Sequence, residues 1–114
     1  MGPGFLERAY QEAVALELEA QGIAFQTEVP FSLQYAGQPL RARYRADLVC
    51  FGSVLVEMKA QPFLGRVERA QVENYLRCSN LEIGLLLNFG RPSLQFARIL
   101  NPANPPRFGE FRGA

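Results

Sequence analysis

Near the start of the chain, apolar residues recur at steps of three and four. Leu6, Ala9, Ala13, Leu16 and Ala20 fall on one arc of a 3.6-residue period, which predicts an α-helix from about Phe5 to Gln21 with that arc inward. Gly2-Pro3-Gly4 precedes it, and Gly22 stands where a left-handed residue commonly ends a helix. From Phe25 the period changes to two. Phe25, Thr27, Val29, Phe31, Leu33 and Tyr35 alternate with Gln26, Glu28, Ser32 and Gln34, a half-buried strand whose Pro30 suggests an edge or a bulge. Ala36-Gly37-Gln38-Pro39 reads as a turn into a second strand, about Leu40 to Cys50, and Gly52-Ser53 starts the turn into a third, Val54 to Ala60. Pro62 and Gly65 mark a loop. A second helix then spans about Arg66 to Ser79, expected to present Val67, Ala70, Gln71, Asn74, Tyr75 and Cys78 on one side. Leu81 to Phe89 is almost continuously apolar, as in a strand covered on both faces, and Leu94 to Leu100 reads as an outer strand. The order is αβββαβ with one extra strand. This predicts an α/β (α+β) sandwich with a mixed sheet of four to five strands flanked by helices, as one domain over residues 1–100. The tail, 101–114, holds prolines and glycines without periodicity and is expected to be extended or disordered.

The polar residues that interrupt this pattern carry the chemistry. Glu57 and Lys59 lie in a strand otherwise made of Val54, Leu55, Val56 and Met58, and alternation puts the two on one face with Met58 on the other. Buried charge is costly unless it is paired or holds a metal. A simple carboxylate–lysine ion pair at a sheet edge explains this segment about as well as a metal site does. Asp47 can join Glu57 only if the connection between the strands is odd. A two-residue Gly52-Ser53 turn would send the two carboxylates to opposite faces, whereas a three-residue Phe51-Gly52-Ser53 connection, or a bulge, puts them on one. The expectation is the odd connection, with Glu7, Asp47, Glu57 and Lys59 around one cavity. Arg41, Arg43 and Arg45 alternate with small or aromatic residues and form a row that Asp47 continues, a track of phosphate contacts or a solvated outer face. Gln71 and Tyr75 share a helix face. Glu17 falls near the middle of the expected apolar arc, where an arginine partner or a supporting role for the site would account for it.

Composition narrows the choice. At 114 residues the chain can bury a single core, and twelve basic against eleven acidic residues leave a net charge of only +1. A nucleic-acid binder more often has a basic excess, although a bound divalent cation would offset clustered carboxylates. The chain has no histidine, which excludes His-ligated zinc, Ser-His-Asp and Cys-His chemistry. Cys50 and Cys78 form no C-x-x-C pair and are expected to be small buried hydrophobes in a reducing compartment. No signal peptide and no apolar run of transmembrane length is evident, so a cytoplasmic location and no membrane partner are expected.

The motif Asp47-x9-Glu57-x-Lys59, an acid on the preceding helix and Gln71-x3-Tyr75 on the following one resembles the PD-(D/E)XK nuclease superfamily. Within it, Gly4-Phe5-Leu6-Glu7-Arg8-Ala9-Tyr10 matches the motif that names the GxxExxY protein family. The resemblance runs from about Gly2 to Leu100 and includes Arg45-Ala46-Asp47-Leu48 and Leu85-Leu86-Leu87-Asn88-Phe89-Gly90. It implies a restriction-endonuclease-like core and a Mg²⁺ or Mn²⁺ ion held by Glu7, Asp47, Glu57 and the Met58 carbonyl. Asp47, Glu57 and Lys59 would be catalytic, with Arg45, Gln71 and Tyr75 contacting nucleic acid, DNA ahead of RNA. Members of the GxxExxY family usually carry a further helical segment before the G-P-G, so either the start is truncated or that helix is dispensable, and a homodimer is compatible with the surface this would leave. The alternative is a catalytically idle nuclease-like domain serving as a binding or assembly module, which the near-neutral charge and small size favour.

Overall fold

The computed structural model describes residues 3–102, in the order α1 (Pro3–Ala20), β1 (Phe25–Tyr35), β2 (Gln38–Cys50), β3 (Val54–Lys59), α2 (Arg66–Ser79), β4 (Ile83–Asn88) and β5 (Gln95–Leu100). The strands make one mixed sheet in chain order: β3 and β4 are parallel across the α2 crossover, and the other neighbours are antiparallel. The α/β sandwich with a mixed sheet expected from the pattern is the one observed, in the restriction-endonuclease-like form that the resemblance implies. One helix lies on each face. On the α1 face Leu48, Cys50, Val56 and Met58 pack with Tyr10, Val14 and Leu18; on the α2 face Tyr44, Ala46, Val49, Leu55 and Leu86 pack with Val72 and Leu76.

Both helices bury a different arc from the expected one. In α1 the inward positions are Tyr10, Val14 and Leu18, while Leu6 and Leu16 stay 50% and 69% exposed, and Ala9, Ala13 and Ala20 are exposed too. The reason is size: three alanines offer little apolar area, and burial energy scales with area. Glu17, on the outer side, accepts a hydrogen bond from Gln21 Nε2 at 3.0 Å and, among the described residues, pairs with no arginine. The helix starts two residues earlier than expected because proline is tolerated in a first turn. It ends as expected: Gly22 has φ of 72°, and Ile23 N–H and Gly22 N–H donate to the Leu18 and Glu19 carbonyls. In α2, Val72 and Leu76 are fully buried, whereas Val67, Ala70, Asn74 and Cys78 face outward and only Gln71 and Tyr75 of the expected arc are half-buried. Gly84 on β4 causes this, because a Cβ there would stand 2.7 Å from Val72 Cγ1, so its bare backbone seats the Val72–Leu76 ridge. Cys50 is buried and Cys78 is exposed.

The β2–β3 hairpin has the odd connection. Cys50 pairs with Val54, Val49 with Leu55 and Leu48 with Val56, and Phe51 and Gly52 carry positive φ in the three-residue link. One rung further along, β1 and β2 both exchange faces. Phe25 and Leu48 serve the α1 side, but Val29, Phe31, Tyr44 and Ala46 serve the α2 side. The exchange falls at Glu28, with φ of 52°, and at Asp47, which lies between the rungs Thr27–Leu48 and Val29–Ala46. The period-two run of β1 is therefore shared between two cores. The exposed row Arg41, Arg43 and Arg45 likewise ends before Asp47 rather than continuing through it.

The first residue of the expected tail packs against the fold. Asn101 is buried and its Nδ2 donates to the carbonyls of Leu76 and Leu81, both at 2.9 Å; the tail beyond 102 lies outside the described residues.

A polar latch joins the loops that leave β3 and β4. Buried Asn88 accepts from Gln61 N–H at 3.0 Å and donates to the Gln61 carbonyl at 2.8 Å, while Gln95 Oε1 accepts from Asn88 Nδ2 and from Leu64 N–H. Gly90 lies so close that a Cβ there would meet the Gln61 backbone at 2.3 Å. Gly90→Ala is expected to destabilise the fold by about 1–3 kcal/mol through overpacking against an unyielding backbone. Gly4→Ala, whose Cβ would meet nothing within 4 Å, serves as the control in urea unfolding and is expected to unfold at or slightly above the wild-type midpoint, since alanine favours a helix. Equal midpoints for the two variants would show that the latch yields freely.

Candidate active site

Lys59 ends β3 opposite Asn88, which ends the parallel β4. Ligand sites in such sheets form beyond the carboxyl ends of the strands, where loops diverge. Here alternation along β3 places Glu57 and Lys59 on the α2 face. The β2–β3 ladder stops at Leu48–Val56, and Asp47 reaches across the opening: its Oδ2 accepts from Met58 N–H at 2.7 Å, and its own N–H lies 3.4 Å from Glu57 Oε1. Lys59 Nζ donates to Gln71 Oε1 on α2 at 3.1 Å.

Glu57 is only 7% exposed, and Tyr44 donates to its Oε1 at 2.7 Å. Tyr44 is held in turn by a stack, parallel to Tyr75 with ring centroids 3.4 Å apart and flanked on its other neighbour by Phe31 at 6.2 Å. Burial, then the charge of Asp47, raises the Glu57 carboxyl to about 7, with Tyr44 and Lys59 pulling the other way. Burial likewise raises Asp47; the Met58 N–H and Lys59 lower it, and Glu28 and Glu7 raise it further. The Tyr44 hydroxyl is pushed far above its ordinary 10 by burial and the adjacent Glu57, so it stays protonated and keeps its proton to donate to Glu57.

Of the residues singled out from the sequence, Asp47, Glu57, Lys59, Gln71 and Tyr75 come together, and the Met58 backbone joins them while its side chain sits in the α1-side core. Glu7 is half-buried and close enough for its charge to bear on Asp47. Arg45 is exposed and no contact ties it to the carboxylates. These groups line an open sheet end; a cavity of about 300 Å³ lies at the opposite, turn end of the hairpin, lined by Ala24, Phe25, Gln26, Val49, Phe51 and Gly52. Two groups that act on the site were not singled out: Tyr44 alternates with arginines in an outwardly ordinary strand, and Glu28 reads as an outward polar position. Asn88, which breaks an apolar run as Glu57 does, serves the neighbouring latch instead.

The donor chemistry suits a hard divalent cation. One oxygen of each carboxylate is engaged, whereas Asp47 Oδ1 and Glu57 Oε2 make no hydrogen bond among the described residues. Carboxylate and carbonyl oxygens are the ligands that Mg²⁺ and Mn²⁺ take. No group of three or more acidic, histidine or cysteine side chains is close enough to form a full cage among the described residues, so such an ion would keep water in its shell.

Comparison with known proteins agrees with this architecture. No curated protein matches the chain. Among solved structures, a protein named SSO0001 superposes with a TM-score of 0.69 at 20% identity, over 87% of this chain and 52% of that one. An alkaline exonuclease from Laribacter hongkongensis superposes with a TM-score of 0.53 at 12% identity, over 84% and 56%. At these identities the likeness is one of fold, and the chain spans about half the length of both proteins. The family model for the PD-(D/E)XK nuclease superfamily matches residues 1–99, and the chain belongs to that superfamily.

Proposed function

We propose that the protein is a divalent-metal-dependent phosphodiesterase of nuclease type acting on nucleic acid, with DNA ahead of RNA, and that it falls in the GxxExxY group of its superfamily. The observation that carries this reading is the pair of buried Glu57 and half-buried Asp47 beside Lys59, each with one carboxylate oxygen that makes no hydrogen bond among the described residues. A purely structural ion pair needs one carboxylate, and a second acid at such a distance raises the cost. Asp47, Glu57 and the Met58 carbonyl would hold Mg²⁺ or Mn²⁺, while Glu7, which forms no three-acid group with them among the described residues, would act through its charge on Asp47. Bound there, the ion would lower the pKa of a coordinated water and offset charge on the phosphate.

The chain's own groups supply the rest. Tyr44 fixes Glu57, the Met58 N–H fixes Asp47, and Gln71 aims the Lys59 ammonium. Lys59 then orients the attacking water or stabilises charge developing on the phosphate oxygens. Arg45 and Tyr75 are candidates for backbone contact. The competing reading, an idle nuclease-like binding module in an assembly of two copies or with another partner, draws on the net charge of +1. Calorimetric titration separates the two. Mg²⁺ or Mn²⁺ is expected to bind at millimolar concentration or tighter, with Asp47→Ala abolishing the heat. A parallel cleavage panel over single-stranded, duplex, nicked and branched DNA and RNA is expected to show metal-dependent products. Binding without products on any substrate would select the idle module, and no binding would remove the metal site.

A further inference from the structure

We propose that Phe63 and Arg91 form a stacking platform for an unpaired nucleotide base beside the site, which makes a single strand or frayed end the substrate. This inference rests on the nuclease reading and extends it to the form of the nucleic acid.

Phe63 is 69% exposed even though the Arg91 guanidinium lies over its ring, 5.0 Å from the centroid. One ring face is thus covered by a cation and the other is open to solvent. An exposed phenylalanine on a floppy loop would mean little, but this loop is tied at successive backbone groups. Asn88 holds Gln61 on both sides, Gln61 Nε2 donates to the Phe63 carbonyl at 3.2 Å, and Arg91 Nη1 donates to the Pro62 carbonyl at 3.1 Å. The same latch thereby holds the backbone beneath the ring, with the Arg91 guanidinium over one face, and an aromatic surface on an ordered backbone costs less further order when a base stacks on it.

Position and charge fit one kind of ligand. Phe63 is four residues beyond Lys59, so the two are at most about 14 Å apart along the chain, a few nucleotide steps. The guanidinium commits one N–H to Pro62 and has others to offer a phosphate. A ring that stacks next to a cation that binds phosphate is how proteins grip unpaired strands without reading sequence. A duplex presents no open base face except at its ends.

The test uses the full chain in EDTA, so that binding is read without cleavage. Oligonucleotides carrying 2-aminopurine report stacking by quenching, and fluorescence anisotropy gives affinity for a single strand and for a blunt hairpin duplex. Wild-type protein is expected to quench the probe. Phe63→Ala should lose the quenching and weaken single-strand binding by about 5- to 150-fold, with duplex affinity changed less than twofold and the thermal melt unmoved. Phe63→Trp should keep both signals. If Phe63→Ala binds and quenches as the wild type does, the platform is overturned while cleavage activity still supports the nuclease reading. Equal losses for strand and duplex overturn it as well. A wild-type protein that binds neither nucleic acid overturns the platform, while the nuclease reading stands or falls with the metal-dependent cleavage panel.

Discussion

Lys59→Met is expected to lower metal-dependent cleavage by about 10²- to 10⁴-fold at saturating metal, the range for loss of a positioned proton donor or charge stabiliser. Methionine keeps the length of the stem and removes the ammonium that Gln71 aims at the site. Saturating metal matters, because the lysine also lowers the pKa of both Asp47 and Glu57. Its loss raises both carboxyl groups but also removes a positive charge that repels the cation, so metal affinity is read separately by titration. Gln71→Ala should give a smaller loss of rate in the same direction, since it frees the lysine without deleting it. A Lys59→Met protein that cleaves at the wild-type rate would move the catalytic charge elsewhere and leave Lys59 as an ion-pair partner.

The second large effect is on stability. In the metal-free protein, Glu57 titrates near 7 against an ordinary value of 4.5. The folded state thus holds a proton between those values that the unfolded state has released, and stability must fall as pH rises through that window and level off above 7. A shift of this size corresponds to about 3 kcal/mol at most. Glu57→Gln keeps an acceptor for Tyr44 and cannot ionise. It should match the wild type near pH 4 and melt about 10 °C higher at pH 8 in EDTA. Asp47 remains in the variant, so a shallower dependence on pH persists. Mg²⁺ should raise the melting temperature of the wild type by mass action and leave Glu57→Gln nearly unmoved. Superimposable melts of the two proteins at pH 8 in EDTA would mean that the carboxylates are already neutralised by another route.

How much of this was legible in the sequence differs by level. Element order, the crossover helix and the odd hairpin connection followed from periodicity and from the demand that Asp47 and Glu57 share a face. The facing of both helices did not. Period counting weights Ala13 like Val14, whereas packing weights them by area, and the α2 ridge is chosen by the missing side chain of Gly84, in a different element. The core of the candidate site was visible because Glu57 and Lys59 interrupt apolar residues. Tyr44 was not, because an aromatic in an alternating strand is ordinary, and only the face exchange one rung away brings it over Glu57. Glu28 is invisible for the same reason, since nothing in its neighbours announces a left-handed backbone.

The turnover of β1 and β2 at Glu28 and Asp47 also governs which changes of chain length this hairpin can absorb. In a strand that keeps one face throughout, an inserted residue can be looped out as a bulge and the pairing resumes. Here both strands invert together, so an extra residue on one side would leave the two halves disagreeing about which layer they belong to. Arg45 would be driven toward the α2 core and Ala46 out of it. Length variation among related sequences should therefore collect toward the Ala36–Gly37 turn, and be absent beside the inversion, between 25 and 31 and between 44 and 50, except in matched pairs.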